Sequence, residues 1–190
     1  MKNILTIILA FLALSCKSQI VSLETAAECS EAYPCPNFTY VKDINNTLNK
    51  YIGIWKGTYN GKVYEMKFNK NLYEGFTGIK SDELAGRLRI SIPGNLTLTI
   101  FDNFNEPDDK KTRFSGLGLT DDLQGYALVF GGPFTRGCMN RGTVAIRLNA
   151  NNPNQMRVIY QSAQDIVVGE CPSSFSQTLP ELQEILLTKQ

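Results

Sequence analysis

The chain contains no histidine. That absence removes Ser-His-Asp and Cys-His catalysis and the commonest zinc sites, because each needs an imidazole as base or ligand. No GxSxG, no Walker A loop and no complete GxGxxG is present; Gly116-Leu117-Gly118 lacks the rest of that fingerprint. No run of like charge exceeds two residues, and the formal net charge is +1 from 19 basic and 18 acidic residues. A near-neutral, evenly mixed surface gives no electrostatic case for nucleic acid. No apolar stretch is long enough to cross a bilayer: the longest, ILTIILAFLAL at 4–14, falls well short of the roughly 20 residues a span needs.

What that stretch offers instead is a secretory signal, with a positive start at Lys2, a short apolar region and a small residue before the cut. Ala13-Leu14-Ser15 satisfies the rule of ordinary signal peptidase, which would release a soluble protein. Leu12-Ala13-Leu14-Ser15-Cys16 also resembles a bacterial lipobox, with Ala13 where Leu is usual, and that resemblance implies that Cys16 is acylated and becomes the first mature residue. Parity favours the second route. The other cysteines, Cys29, Cys35, Cys138 and Cys171, are even in number and suit an oxidising compartment, whereas an unmodified Cys16 would leave an odd thiol. Lys17-Ser18-Gln19 carries neither an Asp at its second position nor an acidic tract, so the expected address is the periplasmic face of the outer membrane. The cell surface and a soluble periplasmic form are the alternatives. The expected organisation is a signal peptide at 1–15, a lipidated tether with a small Cys loop at 16–42, and a single β-domain at 43–190.

Asn46 or Thr47 is positioned to cap a short helix over Leu48 and Tyr51. From Ile52 onward, short alternating strands separated by Gly, Asn, Asp and Pro predict an all-β domain. The strongest signal is IGIWKGTY, then Asn60-Gly61, then KVYEMKF, because a type I′ turn requires positive φ at both central residues. Pairing Tyr59 with Lys62 sets Lys56 against Glu65, Trp55 against Met66 and Gly53 against Phe68. One face then carries Trp55, Tyr59, Tyr64, Met66 and Phe68, and the other Lys56, Thr58, Glu65 and Lys67. Further strands are expected at 72–80, 84–92, 95–101, 113–119, 125–131, 143–149, 155–162 and 185–189. FDNFNEPDDK is expected as a loop. About ten strands joined as hairpins predict an antiparallel up-and-down barrel or barrel-like sandwich with a short N-terminal helix, since closure removes exposed edges. Four cysteines allow three pairings. The favoured one joins Cys138 to Cys171, at the same end of the 143–162 hairpin, and Cys29 to Cys35.

Tyr51-Ile52-Gly53-Ile54-Trp55 resembles the aromatic-x-Gly-x-Trp opening of the calycin barrels, the lipocalins and fatty-acid-binding proteins. That resemblance implies a Trp on the barrel floor, sometimes under an Arg from a late strand, with Arg147 or Arg157 as the counterpart. At whole-chain scale, LSCKSQ, YIGIWKGTYNGKVYEMKF and the terminal LLTKQ resemble a domain-of-unknown-function family of small Bacteroidota lipoproteins. This implies a compact β-fold and a lipoprotein address, and no catalytic residues.

Asp102, Asn103, Asn105, Glu106, Asp108 and Asp109 supply oxygen ligands of the kind calcium prefers, but their spacing departs from a calcium loop and no glycine permits its sharp turn. No metal or cofactor is expected. In GGPFTRGCMNRG, at 131–142, Gly131, Gly132 and Gly137 free the backbone while Phe134, Arg136 and Arg141 could meet a partner; a disulfide-pinned structural loop has the same composition. The leading functional expectation is a non-enzymatic envelope domain that either binds a small apolar ligand among Trp55, Tyr64 and Phe68 or has those residues fill its interior. An interaction or inhibitor module acting through 131–142 toward an envelope protein is the second. A carboxylate-dependent hydrolase is the third, and no spacing supports it.

Overall fold

The computed structural model describes residues 19–31, 35, 37–75, 78–94, 98–107 and 114–190. In chain order the elements are β1 (Ile20–Ser22), α1 (Leu23–Glu31), β2 (Tyr40–Lys42), a 3-10 turn (Thr47–Lys50), β3 (Gly53–Tyr59), β4 (Lys62–Glu74), β5 (Lys80–Ile92), β6 (Leu98–Asp102), β7 (Phe114–Leu119), β8 (Gly125–Gly131), β9 (Arg141–Asn149), β10 (Asn152–Ser162) and β11 (Glu184–Lys189).

The β3–β4 hairpin has the register its sequence predicts. Tyr59 pairs with Lys62, Lys56 with Glu65, Trp55 with Met66 and Gly53 with Phe68. Asn60 and Gly61 take φ values of 46° and 72°, and Lys56 Nζ lies 3.6 Å from a Glu65 carboxylate oxygen on the outer face. Along the ring β5 pairs antiparallel with β4, β8 with β7, β9 with β8, β10 with β9 and β11 with β10, and β11 returns to β3. The ring closes where β7 meets β5 through Ala85–Ser115 and Gly86–Phe114. The result is a closed antiparallel barrel of β3, β4, β5, β7, β8, β9, β10 and β11, with β1, β2 and β6 outside the ring.

Eight strands enclose a bore just wide enough for side chains to fill. Inward positions do fill it: Trp55, Tyr64, Met66, Phe68, Leu84, Leu88, Tyr126, Leu128, Val144, Ile146, Met156 and Val158 form one buried cluster. Across it runs an aromatic chain, Phe68 to Phe114 to Phe130 to Tyr160, with ring centroids 5.8, 5.0 and 5.8 Å apart. Leu48 and Tyr51 of the 3-10 turn, together with Leu23 of α1, join the same cluster.

The edge of β5 opposite β4 is shared by three partners in succession. β2 takes Lys80 and Ser81 in parallel, β7 takes Ala85 and Gly86, and β6 takes Arg89 to Ile92. Between the last two, Asn103 substitutes for a strand residue: its N–H donates to Leu88 O (3.1 Å) and its Oδ1 accepts from Leu88 N (2.8 Å). β6, Asn103 and β7 therefore follow one line along β5, interrupted by an excursion after Asn103. Two close neighbours define the closure at Gly86, where a Cβ would lie 2.8 Å from Phe114 Cβ and from Phe68 Cε1.

Several boundaries differ from expectation. No separate strand occupies 72–80, because nothing between Phe68 and Leu72 breaks the alternation. β4 runs on to Glu74, and the turn forms at Gly75–Gly78, where Gly78 takes φ 75°. The 3-10 turn is capped by neither Asn46 nor Thr47: Asp43 accepts from Thr47 N (2.6 Å) and Leu48 N (3.3 Å), while Asn46 sits in the left-handed region without a side-chain cap. Within the segment read as a tether, residues from Ile20 form β1, α1 and β2, and Val21 and Leu23 are buried. Ser22 caps α1 by accepting from Thr25 N (3.1 Å). The signal segment and Cys16 lie outside the described residues.

Replacing Gly86 with Val drives side-chain atoms into Phe114 and Phe68 at the closure. Equilibrium urea unfolding is expected to show a loss of about 1–3 kcal/mol; an unchanged midpoint would mean that β5 and β7 do not depend on that approach.

Candidate functional site

Three regions carry the polar and apolar groups that a function requires: the barrel axis, the lower end where Lys80, Gly125 and Asn149 lie, and the upper end where Lys62, Gly131, Arg141 and Ser162 lie. On the axis, Trp55, Tyr64 and Phe68 are all buried within the core cluster. Trp55 Nε1 donates to Tyr51 O (2.7 Å), and the Lys189 ammonium stands 5.3 Å from its ring centroid. The cation over the tryptophan is thus a lysine of the last strand, not Arg147 or Arg157. Arg147 pairs with Asp122, and Arg157 lies 3.7 Å from Glu184. Both arginines sit at outward positions of their strands, which the alternation of Ile146 and Met156 to the interior dictates.

At the lower end, side chains from α1, β2, β4 and β5 form a hydrogen-bonded network. Glu24 accepts from Thr47 Oγ1 (2.5 Å) and Asn45 Nδ2 (3.2 Å). Asp43 pairs with Lys70 (3.2 Å), and Asp82 accepts from Tyr40 Oη (2.6 Å) and Asp43 N (2.9 Å). The Asp82 hydrogen bond pushes the Tyr40 phenol up to about 12. Its partners already occupy these carboxylates, so the network ties the N-terminal segment to the barrel. Glu83 is the exception in its energetics. Burial pushes its carboxyl up to about 7, against a hydrogen bond with Ser81 that lowers it.

The acidic run after β6 makes a brace. Asp102 accepts from Arg89 Nε (2.9 Å) and from Phe104 N (2.8 Å), while Arg89 also reaches Glu65 (3.5 Å). Lys67 donates to Phe104 O (2.7 Å), and Arg87, fully buried, donates through Nε to Glu106 O (2.9 Å). These contacts clamp residues 102–106 over the outer face of β4 and β5. Among the described residues no group of three or more His, Cys, Asp or Glu is placed to hold a metal ion; Asp108 and Asp109 lie outside them.

The upper end is organised by a disulfide and an amide. Cys138 is bonded to Cys171, and Cys29 to Cys35. Asn140, buried, donates to Pro133 O (3.1 Å) and Thr178 Oγ1 (3.0 Å) and accepts from Thr178 N (3.1 Å). Covalent and polar latches together hold loop 132–140 against the 163–183 segment. Arg136 lies along that segment, its Cγ and Nε both 3.5 Å from the position a Gly169 Cβ would take. Neither Arg136 nor Arg141 makes an ion pair among the described residues. Held this way, the two loops present Phe134 at 90% exposure, Ile166 at 96% and Val168 at 77%. These are large apolar side chains left exposed on loops that the disulfide and Asn140 latch together. Sequence reasoning singled out Phe134, Arg136 and Arg141; it missed Asn140, Ile166 and Val168. The DIVV run at 165–168, apolar without alternation beside a cysteine, was the available signal.

Glu83 sets a pH dependence. Its folded carboxyl at about 7 lies above the unfolded value of 4.5, so the folded state holds the proton more tightly. The contribution is complete below the unfolded value and is lost as pH rises through about 7. Thermal unfolding is expected to show stability falling across that window, and Glu83→Gln to flatten the fall; an unaltered slope in the variant would refute the assignment.

Comparison with known proteins adds one match. A model described as a family of unknown function, DUF6705, covers residues 1–120, which takes in β1 to β7. No curated protein and no solved structure matches the chain.

Proposed function

The chain belongs to that family of unknown function, DUF6705, and from this premise we propose that it is a lipid-anchored envelope interaction module. It docks a protein partner through the disulfide-linked loops at the upper end of the barrel. The observation that carries the reading is the contrast between a bore filled by Trp55, Tyr64 and Phe68 and the exposed Phe134, Ile166 and Val168 outside it. A packed interior leaves the rigid loops as the surface on which specificity can be built.

The anchor is Cys16, in the outer membrane and facing the periplasm. Topology supports a division of labour between the two ends. Gln19 O accepts from Thr39 N (3.0 Å), and Ile20 pairs with Tyr40, which pairs with Lys80 at the lower end. Cys16 is three residues from Gln19, a reach of about 10 Å when extended. The 13 residues of β4 separate Glu74 at the lower end from Lys62 at the upper end, a strand length of about 40 Å. An anchor below therefore holds the apolar loops away from the bilayer, which directs them to a protein and not to lipid.

Two measurements test this. A photo-crosslinking residue at Phe134 or Ile166 is expected to trap an envelope protein in cells, while the same residue at Ile54 on the barrel wall traps none. Equal capture at Ile54, or adducts with lipid alone, would sink the docking surface. Cys16→Ser is expected to move the chain from the membrane to the soluble fraction; retention of the variant in the membrane would overturn the anchor.

A further inference from the structure

β6 is the one strand beside the ring whose second edge faces the upper end. It pairs with β5 on one side, and among the described residues no backbone hydrogen bond is made on the other. Leu98, Thr99 and Ile100 are exposed along it, and no charged residue or proline stands in the strand before Asp102. Proteins guard open edges with lysine, proline, bulges or a covering element, because an unguarded apolar edge pairs with whatever strand it meets. On β6 the described residues supply neither lysine nor proline, only the register shift opposite Ile90 and Ser91, at one particular place.

That place is next to a groove. A cavity of about 270 Å³ lies between β6, represented by Ile100 and Phe101, and the latched loops, represented by Pro133, Asn140 and Phe175. Below Phe114, β7 fills the wall between β5 and β8; above it, β6 follows the same line along β5, but among the described residues no pairing joins β6 to the chain beyond β8. Among the described residues the wall is therefore one strand short on this side. Among the groove's lining residues Lys62 alone is charged, and it makes no ion pair among the described residues. The remaining polar lining is neutral, from Ser174, Ser176, Gln177 and Thr178.

We propose that this groove receives an extended, carboxylate-bearing peptide segment of a protein partner, which pairs with the open edge of β6 and sets its carboxylate on Lys62. Main-chain pairing supplies the affinity in such strand addition, and the pocket beside the strand reads alternate side chains. A cation with no partner in a half-buried groove selects an anion, and a carboxylate on a peptide provides one with directed hydrogen bonds. The proposal rests on the docking reading above and names the form of the partner: an unstructured segment that becomes a strand, adjoining the apolar contact at Phe134.

The probe is a library of short random peptides displayed on phage and selected against the full chain in detergent. Selected peptides are expected to alternate β-branched or aromatic residues and to carry an acidic side chain or a free C-terminus. N-methylation of alternate amides in a selected peptide is expected to weaken binding about tenfold or more for one parity and to spare the other, since only one set of N–H groups faces β6. Lys62→Glu, in a solvent-bounded hairpin, is expected to weaken it about tenfold, with Lys62→Arg retaining it. Failure to select any peptide, loss of affinity without parity, or indifference to Lys62→Glu overturns the proposal. So does a dimer cross-linked through Thr99→Cys, which would make a second copy the occupant. Phe134 cross-links that persist in any of those cases would leave the docking module standing while removing the strand.

Discussion

One edge of one strand governs this molecule. β5 is 13 residues long and its edge away from β4 is divided among β2, β7 and β6. Only the middle share, Ala85 and Gly86, closes the barrel. Closure with so little pairing works because Gly86 lets the β7 backbone and Phe114 approach where any side chain would hold them apart. Asn103 then bridges the gap to β6 with a pair of hydrogen bonds to Leu88, leaving no break in the ladder there.

Because the ring closes on eight strands, its bore is a core and not a cavity. The large aromatic content of the inner face is spent on packing, with each such side chain contributing about 1.5–3 kcal/mol on burial. A filled bore leaves the two rims as the places where polar side chains and loops gather. At the lower rim, Glu24, Asp43, Asp82 and Lys70 are consumed in binding the N-terminal segment to the barrel. At the upper rim, a disulfide and Asn140 latch together the loops that carry Phe134 and Ile166. The N-terminal segment and the latched loops thus lie at opposite ends of the barrel.

The β3–β4 hairpin was legible to the level of individual pairs, because Asn60-Gly61 imposes its turn and a slip of one residue would expose Trp55 and Met66 together. β8 matched its expected limits at Gly125 and Gly131, bounded by glycines on both sides. The failures share a cause. The expected 72–80 strand does not form because Asn69, Lys70 and Asn71, polar as they are, continue β4 in register with β5 as far as Glu74. Asp43 was passed over as a cap since its carboxylate reaches the turn at 47–48 only through the bend at Ile44 and Asn45. Of the candidate site, Phe134 stood out by its glycine-rich loop, whereas Ile166 and Val168 did not.

Composition and local pattern by themselves determined that imidazole chemistry is absent, that the domain is built of antiparallel hairpins, and which side of the first hairpin is buried; these follow from residue identity and a period of two. Tertiary structure alone decided three other matters: that Trp55, Tyr64 and Phe68 fill the bore instead of lining a cavity, that Lys189 covers the tryptophan, and that among the described residues β6 has an unpaired edge beside Lys62. Each of those depends on which strands meet across the closed ring. Distances between residues far apart in the chain set that meeting, and no local propensity encodes them.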